Sequence, residues 1–171
     1  RWIQFNTVQG WVLDIQPDWK RDSDERGTRF WRAKGDLNYG FSETKLRGWL
    51  SVQRRFESVR YATLEVSGGT MVDYFNEARA ISPLINTPYV LFSEHNYLKI
   101  YDKSFAKVEW SQILVPGLSM NAAAEWNRRK PLVNHSSYSW RKADDSRYTP
   151  NAPIPALENQ TEFPSPDILL L

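Results

Sequence analysis

Between Gln9 and Ser42 apolar and polar residues alternate in two runs, joined by the charged turn Asp22-Ser23-Asp24-Glu25-Arg26-Gly27-Thr28. In the first run Trp11, Leu13, Ile15, Pro17 and Trp19 share one face, and Val12, Asp14, Gln16, Asp18 and Lys20 share the other. That period of two marks a strand. In the second run Trp31, Ala33, Gly35, Leu37, Tyr39 and Phe41 oppose Arg32, Lys34, Asp36, Asn38, Gly40 and Ser42. Antiparallel pairing of the runs predicts Trp19 beside Trp31, Trp11 beside Tyr39 and Asp18 beside Arg32. Aromatic residues then stand at both ends of the apolar face. On a strand tilted by roughly 40°, Trp11 and Trp19 differ in height by about 20 Å, close to the band between the two aromatic girdles of an outer-membrane barrel.

The alternation continues. After the turn Ser42-Glu43-Thr44-Lys45, a third strand carries Leu46, Gly48, Leu50 and Val52 on the apolar face, with Phe41 expected beside Leu46 and Leu37 beside Leu50. Ala62, Leu64 and Val66 make a fourth, ended by Gly68-Gly69. A fifth is built on Ala106, Val108, Trp110 and Leu114, and a sixth on Leu118, Met120, Ala122, Ala124 and Trp126, pairing Lys107 with Glu125 and Ala106 with Trp126. The expected strands cover about 9–21, 29–42, 45–56, 60–67, 103–114 and 118–127, with long connections over 70–102 and 128–166. In the first connection Thr87-Pro88 reads as an N-cap and first helical residue, with Val90, Leu91, Glu94, Tyr97, Leu98 and Tyr101 at helical spacing, which predicts one short helix.

Such hairpins also fit one leaf of a soluble β-sandwich or a lipocalin-like binding module. Two features favour a barrel in a membrane. Trp and Tyr cluster at strand ends, where a ring meets water on one edge and lipid on the other. The strands are also about a dozen residues long, against a usual 5 to 6. Composition agrees with this reading. Eight Trp stand in a chain of 171 residues whose mean hydropathy is only −0.58, so hydrophobicity is spread in single residues. Strands that show lipid only alternate residues produce that weak signal, and no run approaches the ~18 apolar residues of a membrane helix. There is no cysteine, hence no disulfide framework or thiolate site. The net charge of +2, from 22 basic and 20 acidic residues, gives no field that argues for nucleic acid. Arg1 to Asn6 carries no targeting signal, and Asp167 to Leu171 reads as the start of a new strand. The expectation is an internal segment, residues 1–171, of a single barrel domain in a longer polypeptide.

Catalytic chemistry finds little support. The two histidines, His95 and His135, stand far from ligand spacing. Neither a Gly-rich phosphate loop nor a Gly-x-Ser-x-Gly elbow occurs, and Asp144-Asp145 near His135 is as well explained by a loop. No catalytic residue, cofactor or metal is assigned, and the chain is not read as an enzyme. The cluster Arg128, Arg129, Lys130, Arg141 and Lys142 offers a site for lipopolysaccharide phosphates or an acidic partner, although basic loop residues are usually just solvated.

Phe75-Asn76, Pro83-Leu84-Ile85-Asn86-Thr87, Asn96-Tyr97-Leu98-Lys99-Ile100-Tyr101, Arg129-Lys130-Pro131-Leu132-Val133-Asn134 and Tyr148-Thr149-Pro150-Asn151-Ala152-Pro153 form a series. It resembles the C-terminal barrel region of a Bacteroidota outer-membrane family known as carboxypeptidase-like regulatory-domain proteins. The resemblance implies a place in the bacterial outer membrane and a distant likeness to TonB-dependent receptors. Their label refers to a small N-terminal sandwich domain and implies no peptidase chemistry.

The resulting expectation is an all-β antiparallel meander of long strands. It forms part of a transmembrane outer-membrane β-barrel, with one short helix in a long loop and a transport or structural role in a cell-envelope complex. Trp11, Trp19, Trp31, Tyr39, Phe41 and Trp126 are the expected lipid-facing girdle. The partners expected are outer-membrane lipid and, at the long connections, surface lipoproteins or other envelope subunits. In the second connection Tyr138, Trp140, Tyr148 and Phe163 need something to bury them. Either they pack on the Tyr97 and Tyr101 face of the first connection, or Tyr138, Trp140, Arg141 and Tyr148 form a docking loop with Trp140 and Arg141 as anchors.

Overall fold

In the computed structural model, which describes residues 3–56, 59–75, 83–93, 95–136, 138, 140, 151 and 169–170, the alternating runs form one antiparallel sheet. Its strands are β1 (Ile3–Asn6), β2 (Gly10–Ile15), β3 (Asp18–Asp22), β4 (Phe30–Gly40), β5 (Lys45–Arg55), β6 (Thr63–Tyr74), β7 (Ile100–Val115), β8 (Leu118–Pro131) and β9 (Leu169–Leu170). The sheet order is β1-β2-β4-β5-β6-β7-β8-β9, with β3 also paired to β4. Among the described residues one helix, α1 (Pro83–Ser93), lies between β6 and β7. The all-β meander with one short helix is therefore observed. The sheet is not closed into a barrel, and β1 and β9 stand at its edges.

Several details differ from the sequence reading. The first long strand is split into β2 and β3 at Gln16-Pro17, because proline has no N–H for the ladder. The Pro17 carbonyl still accepts from the Gly35 N–H at 2.9 Å. Trp19 lies opposite Ala33 instead of Trp31, and Leu13 instead of Trp11 lies opposite Tyr39. The turn sets this register. Ser23 N–H donates to the Arg29 carbonyl at 2.7 Å, and the Asp24 carboxylate accepts from the Thr28 hydroxyl and the Arg29 N–H. Asp18 still meets Arg32 diagonally, at 2.9 Å.

Across the next turn Tyr39, not Phe41, is opposite Leu46, and Leu37 is opposite Gly48 instead of Leu50. Thr44 there adopts φ 53. Both slips are of two residues, so every side chain keeps its face. The register of β7 with β8 agrees with the expectation, placing Lys107 opposite Glu125 and Ala106 opposite Trp126, with a bulge near the hairpin tip. Strands β1 and β9 add to the six expected, and β9 falls within the run from Asp167 to Leu171.

Gly68-Gly69 does not end β6, which runs on to Tyr74. What ends there is its pairing with β5, whose last partners are Trp49 and Gly69. Gly69 has φ 141, and a Cβ on it would lie 2.3 Å from the Gly48 carbonyl oxygen, so the close approach requires glycine. Beyond this point Val72 and Tyr74 pack against Val8 and Ile100, although they continue the even-numbered positions that face outward at Val66. Helix α1 begins earlier than Thr87-Pro88, with Pro88 in its interior. Thr87 does not cap it. Its hydroxyl instead accepts from the Phe5 N–H at 3.2 Å. Tyr97, Leu98 and Tyr101 lie past the helix, and Glu94 lies outside the described residues.

The two apolar clusters lie at one end of the sheet, while Phe30 and Ala62 are buried at the other. Phe5 on β1 packs with Val90 and Leu91 of α1, while Val8, Ile100 and Leu132 form a second cluster. Asparagines join the connections there. Asn86 donates to Asn96 at 3.1 Å, Asn96 to the Thr7 hydroxyl at 2.7 Å, and that hydroxyl to Asn134 at 2.6 Å. The Asn151 amide donates to the carbonyls of Ile100 and Leu132, each at 2.7 Å. The N–H groups of His135 and Ser136, just beyond β8, both donate to the Thr7 carbonyl in the β1–β2 turn. A flat sheet would hold β2 and β8 about 24 Å apart, at ~4.8 Å per strand step. The sheet therefore curls at this loop end. The opposite end carries the 23–29 and 116–117 turns and is called the turn end.

Candidate functional site

Along β5 the usual relation between polarity and burial is inverted. Leu46 is 64% exposed and Arg47 beside it 1%; Leu50 is 56% exposed and Ser51 4%. Soluble sheets bury their apolar side chains and leave the polar ones wet. Here the apolar face is the open one. The polar face holds charge in pairs and hydrogen bonds. Arg47 Nε donates to Asp102 at 2.9 Å and its other nitrogens to Glu43 at 2.8 and 2.7 Å, while Lys45 reaches Asp102 at 2.5 Å. Lys103 pairs with Glu125 and Lys107 with Glu109, each at 2.7 Å. Glu125 is thus bound to a lysine four residues along β7 rather than to Lys107 directly opposite. Ser51 donates to Glu65 at 2.7 Å and Gln9 to Asn38 at 2.7 Å. A cavity of about 100 Å³ lies among Asp14, Asp36, Asn38, Trp49, Val72 and Ile100.

Register carries the apolar face across the sheet. One row runs Trp19, Ala33, Val52, Val66, Val108, Ala124, and the next Gly35, Leu50, Gly68, Ala106, Trp126. The face is oblique to these rows. On β4 its apolar positions run from Trp31 to Phe41 just past the strand, and on β8 from Leu118 to Trp126. Ala122, midway along the β8 run, shares a row with Trp110, Leu64 and Arg54 that ends at Trp31, the start of the β4 run. The centre of the face thus moves by about five residues over four strand steps. That is roughly 16 Å along the strands for 19 Å across, an obliquity of about 40°. Strands of transmembrane barrels are tilted by about this angle.

Of the expected girdle, Trp11, Trp19, Trp31, Phe41 and Trp126 are exposed and Tyr39 is half-buried. Tyr39 and Phe41 meet edge to face at 5.1 Å, and Phe5 covers one side of Trp11 at 5.3 Å. In the expected docking loop, Trp140 packs on Phe92 of α1 at 5.0 Å and donates its indole N–H to the Tyr138 hydroxyl at 3.0 Å. The backbone N–H of Trp140 donates to the Leu91 carbonyl at 3.0 Å. Among the described residues the second connection meets the first at α1. Tyr138 and Trp140 remain exposed, and Arg141 and Tyr148 lie outside the described residues.

Sequence reasoning missed Arg47, the largest fully buried side chain among the described residues, whose only signal was its place on a polar face four residues after Glu43. It also missed the bridging asparagines, although Asn86, Asn96, Asn134 and Asn151 stand inside the quoted series. Among the described residues no group of three His, Cys, Asp or Glu could hold a metal, and no helix is long and apolar enough to cross a membrane. A family model matches residues 1–171, that of the family of unknown function (DUF5686) C-terminal domain. No curated protein and no solved structure matches the chain.

Proposed function

The chain belongs to the DUF5686 C-terminal-domain family, and from its geometry we propose that it is a wall segment of a transmembrane β-barrel in a bacterial outer membrane. The observation that carries this is the inversion along β5, where leucines are open and an arginine and a serine are buried. In water that arrangement exposes a wide apolar surface; in lipid it is the ordinary one. A soluble sandwich would lay a second sheet over this face, and among the described residues it is covered only at β1, where α1 packs on Phe5.

The polar face then looks into the barrel. Its charges are cross-linked, which supports a filled wall with a structural role in an envelope complex more than an open transport pore. Lipid tolerates no unpaired edge, so the reading requires β1 and β9 to be paired or covered, as Thr87 of α1 already does at the Phe5 backbone. The likeness to carboxypeptidase-like regulatory-domain proteins and TonB-dependent receptors is part of the proposal, as is the absence of a catalytic role. A surface lipoprotein or other envelope subunit would meet the loop end at Tyr138 and Trp140.

The test is folding of the intact protein into lipid vesicles, read by heat-sensitive electrophoretic mobility and urea unfolding. Leu37→Arg should cost roughly 2 to 4 kcal/mol near the middle of the apolar band, and Gln53→Arg on the polar face well under that. Asn38 is a poorer control, because it accepts from Gln9. A protein that folds to a compact state without lipid or detergent contradicts the reading.

A further inference from the structure

We propose that the turn end of the outer face holds a glycerophospholipid molecule, with its phosphate on Arg54 and part of an acyl chain in the hollow beside it. The inference rests on the barrel reading and adds a specific lipid site to it. The outer face is apolar along its rows until the row of Arg21, Trp31 and Arg54. There two guanidinium groups flank one indole, both exposed. Arg54 stacks over Trp31 at 4.5 Å and over Phe56 at 4.8 Å. The ring faces fix its stem and leave its N–H groups for an anion.

These two cations differ from those of the polar face. Arg32, Lys45, Arg47, Lys103 and Lys107 each have a carboxylate partner. Among the described residues no carboxylate pairs with Arg21 or Arg54. An unpaired guanidinium in mid-bilayer is costly and becomes cheap near the headgroups. Their position at the edge of the apolar face therefore puts them at headgroup level, where the available anion is a phosphate, and guanidinium binds phosphate with paired hydrogen bonds. Directly inward lies a hollow of about 160 Å³ lined by Trp31, Val52, Arg54, Phe56, Leu64 and Val66. Charge at the rim and an apolar trough behind it are the two halves of a phospholipid. This end carries the short Pro116-Gly117 turn, and short turns lie in the periplasm, so the lipid is a glycerophospholipid of the inner leaflet.

The experiment uses the intact protein folded in detergent micelles, with dioleoyl phosphatidylglycerol added and bound lipid counted by native mass spectrometry. Wild type should retain one lipid. Arg54→Leu should weaken retention about tenfold, as loss of a charge-assisted hydrogen-bond pair does. Val66→Trp, which fills the hollow and leaves the charge, should weaken it as well, and Arg128→Gln, at the other end of β8, should not. Equal retention by all four folded proteins overturns the site and leaves the barrel reading standing. Failure of the wild type to fold in micelles overturns both. Displacement of phosphatidylglycerol by sub-stoichiometric lipopolysaccharide overturns the choice of lipid.

Discussion

Arg47 on β5 and Asp102 on β7 are joined at 2.9 Å although β6 separates their strands in the sheet. The contact is possible because β6 leaves β5 at Gly69. The first residues of β5, Lys45 to Gly48, then have no ladder partner on that side, and the ion pair bridges the opening. Lys45 joins the same carboxylate from an exposed position. Asp102→Asn should cost about 3 kcal/mol, because it leaves the buried guanidinium short of a counter-charge. Lys45→Met should cost less than about 1 kcal/mol, since half-exposed pairs contribute little. Urea unfolding of the two variants in vesicles distinguishes them.

The same opening depends on Gly69. Gly69→Ala should cost about 3 kcal/mol, from backbone strain and from collision with the Gly48 carbonyl. Gly117→Ala, with φ 87 but open space around it, should cost only about 1 kcal/mol. Similar losses at both positions would show that β6 does not need the close approach.

Helix α1 is tied to the sheet through Asn96, which links Asn86 to Thr7. Asn96→Ala leaves two buried polar groups short of a partner and should cost about 2 kcal/mol. Hydrogen exchange over residues 83–93 should quicken, while His95→Ala, at an exposed neighbour, should leave it unchanged.

How much of this was legible in the sequence follows from what kind of information alternation carries. Period two fixes which face a residue takes, so Leu13, Leu37 and Leu50 were placed on the apolar face from the pattern alone, and a slip of two residues in register did not disturb them. Register itself is set by turn hydrogen bonds such as those of Asp24, which a hydropathy pattern does not encode. The continuation of β6 was hidden because Gly68-Gly69 reads as a terminator when its actual task is to let a neighbouring backbone come close. The loop end was the least legible. Its asparagines bond residues up to 127 positions apart, and no local rule announces a contact of that range.

Both long connections and the 41–44 turn lie at the loop end, with the 23–29 and 116–117 turns opposite. Long loops of outer-membrane barrels face outward. A cysteine at Ser42 should therefore be labelled in intact cells by a membrane-impermeant maleimide, and one at Glu25 only after the outer membrane is permeabilised. The reverse pattern would invert the orientation and with it the leaflet of the Arg54 lipid.

The facing of β5 decides between a membrane wall and a soluble sheet. Nitroxide labels placed singly at Leu50, Ser51, Val52 and Gln53 of the intact protein in vesicles report contact with oxygen, which concentrates in lipid, and with a water-soluble nickel chelate. Leu50 and Val52 should be relaxed by oxygen and shielded from nickel, whereas Ser51 and Gln53 should be protected from lipid-borne oxygen. Equal nickel access at all four positions, or an alternation of opposite phase, would contradict the proposed barrel wall.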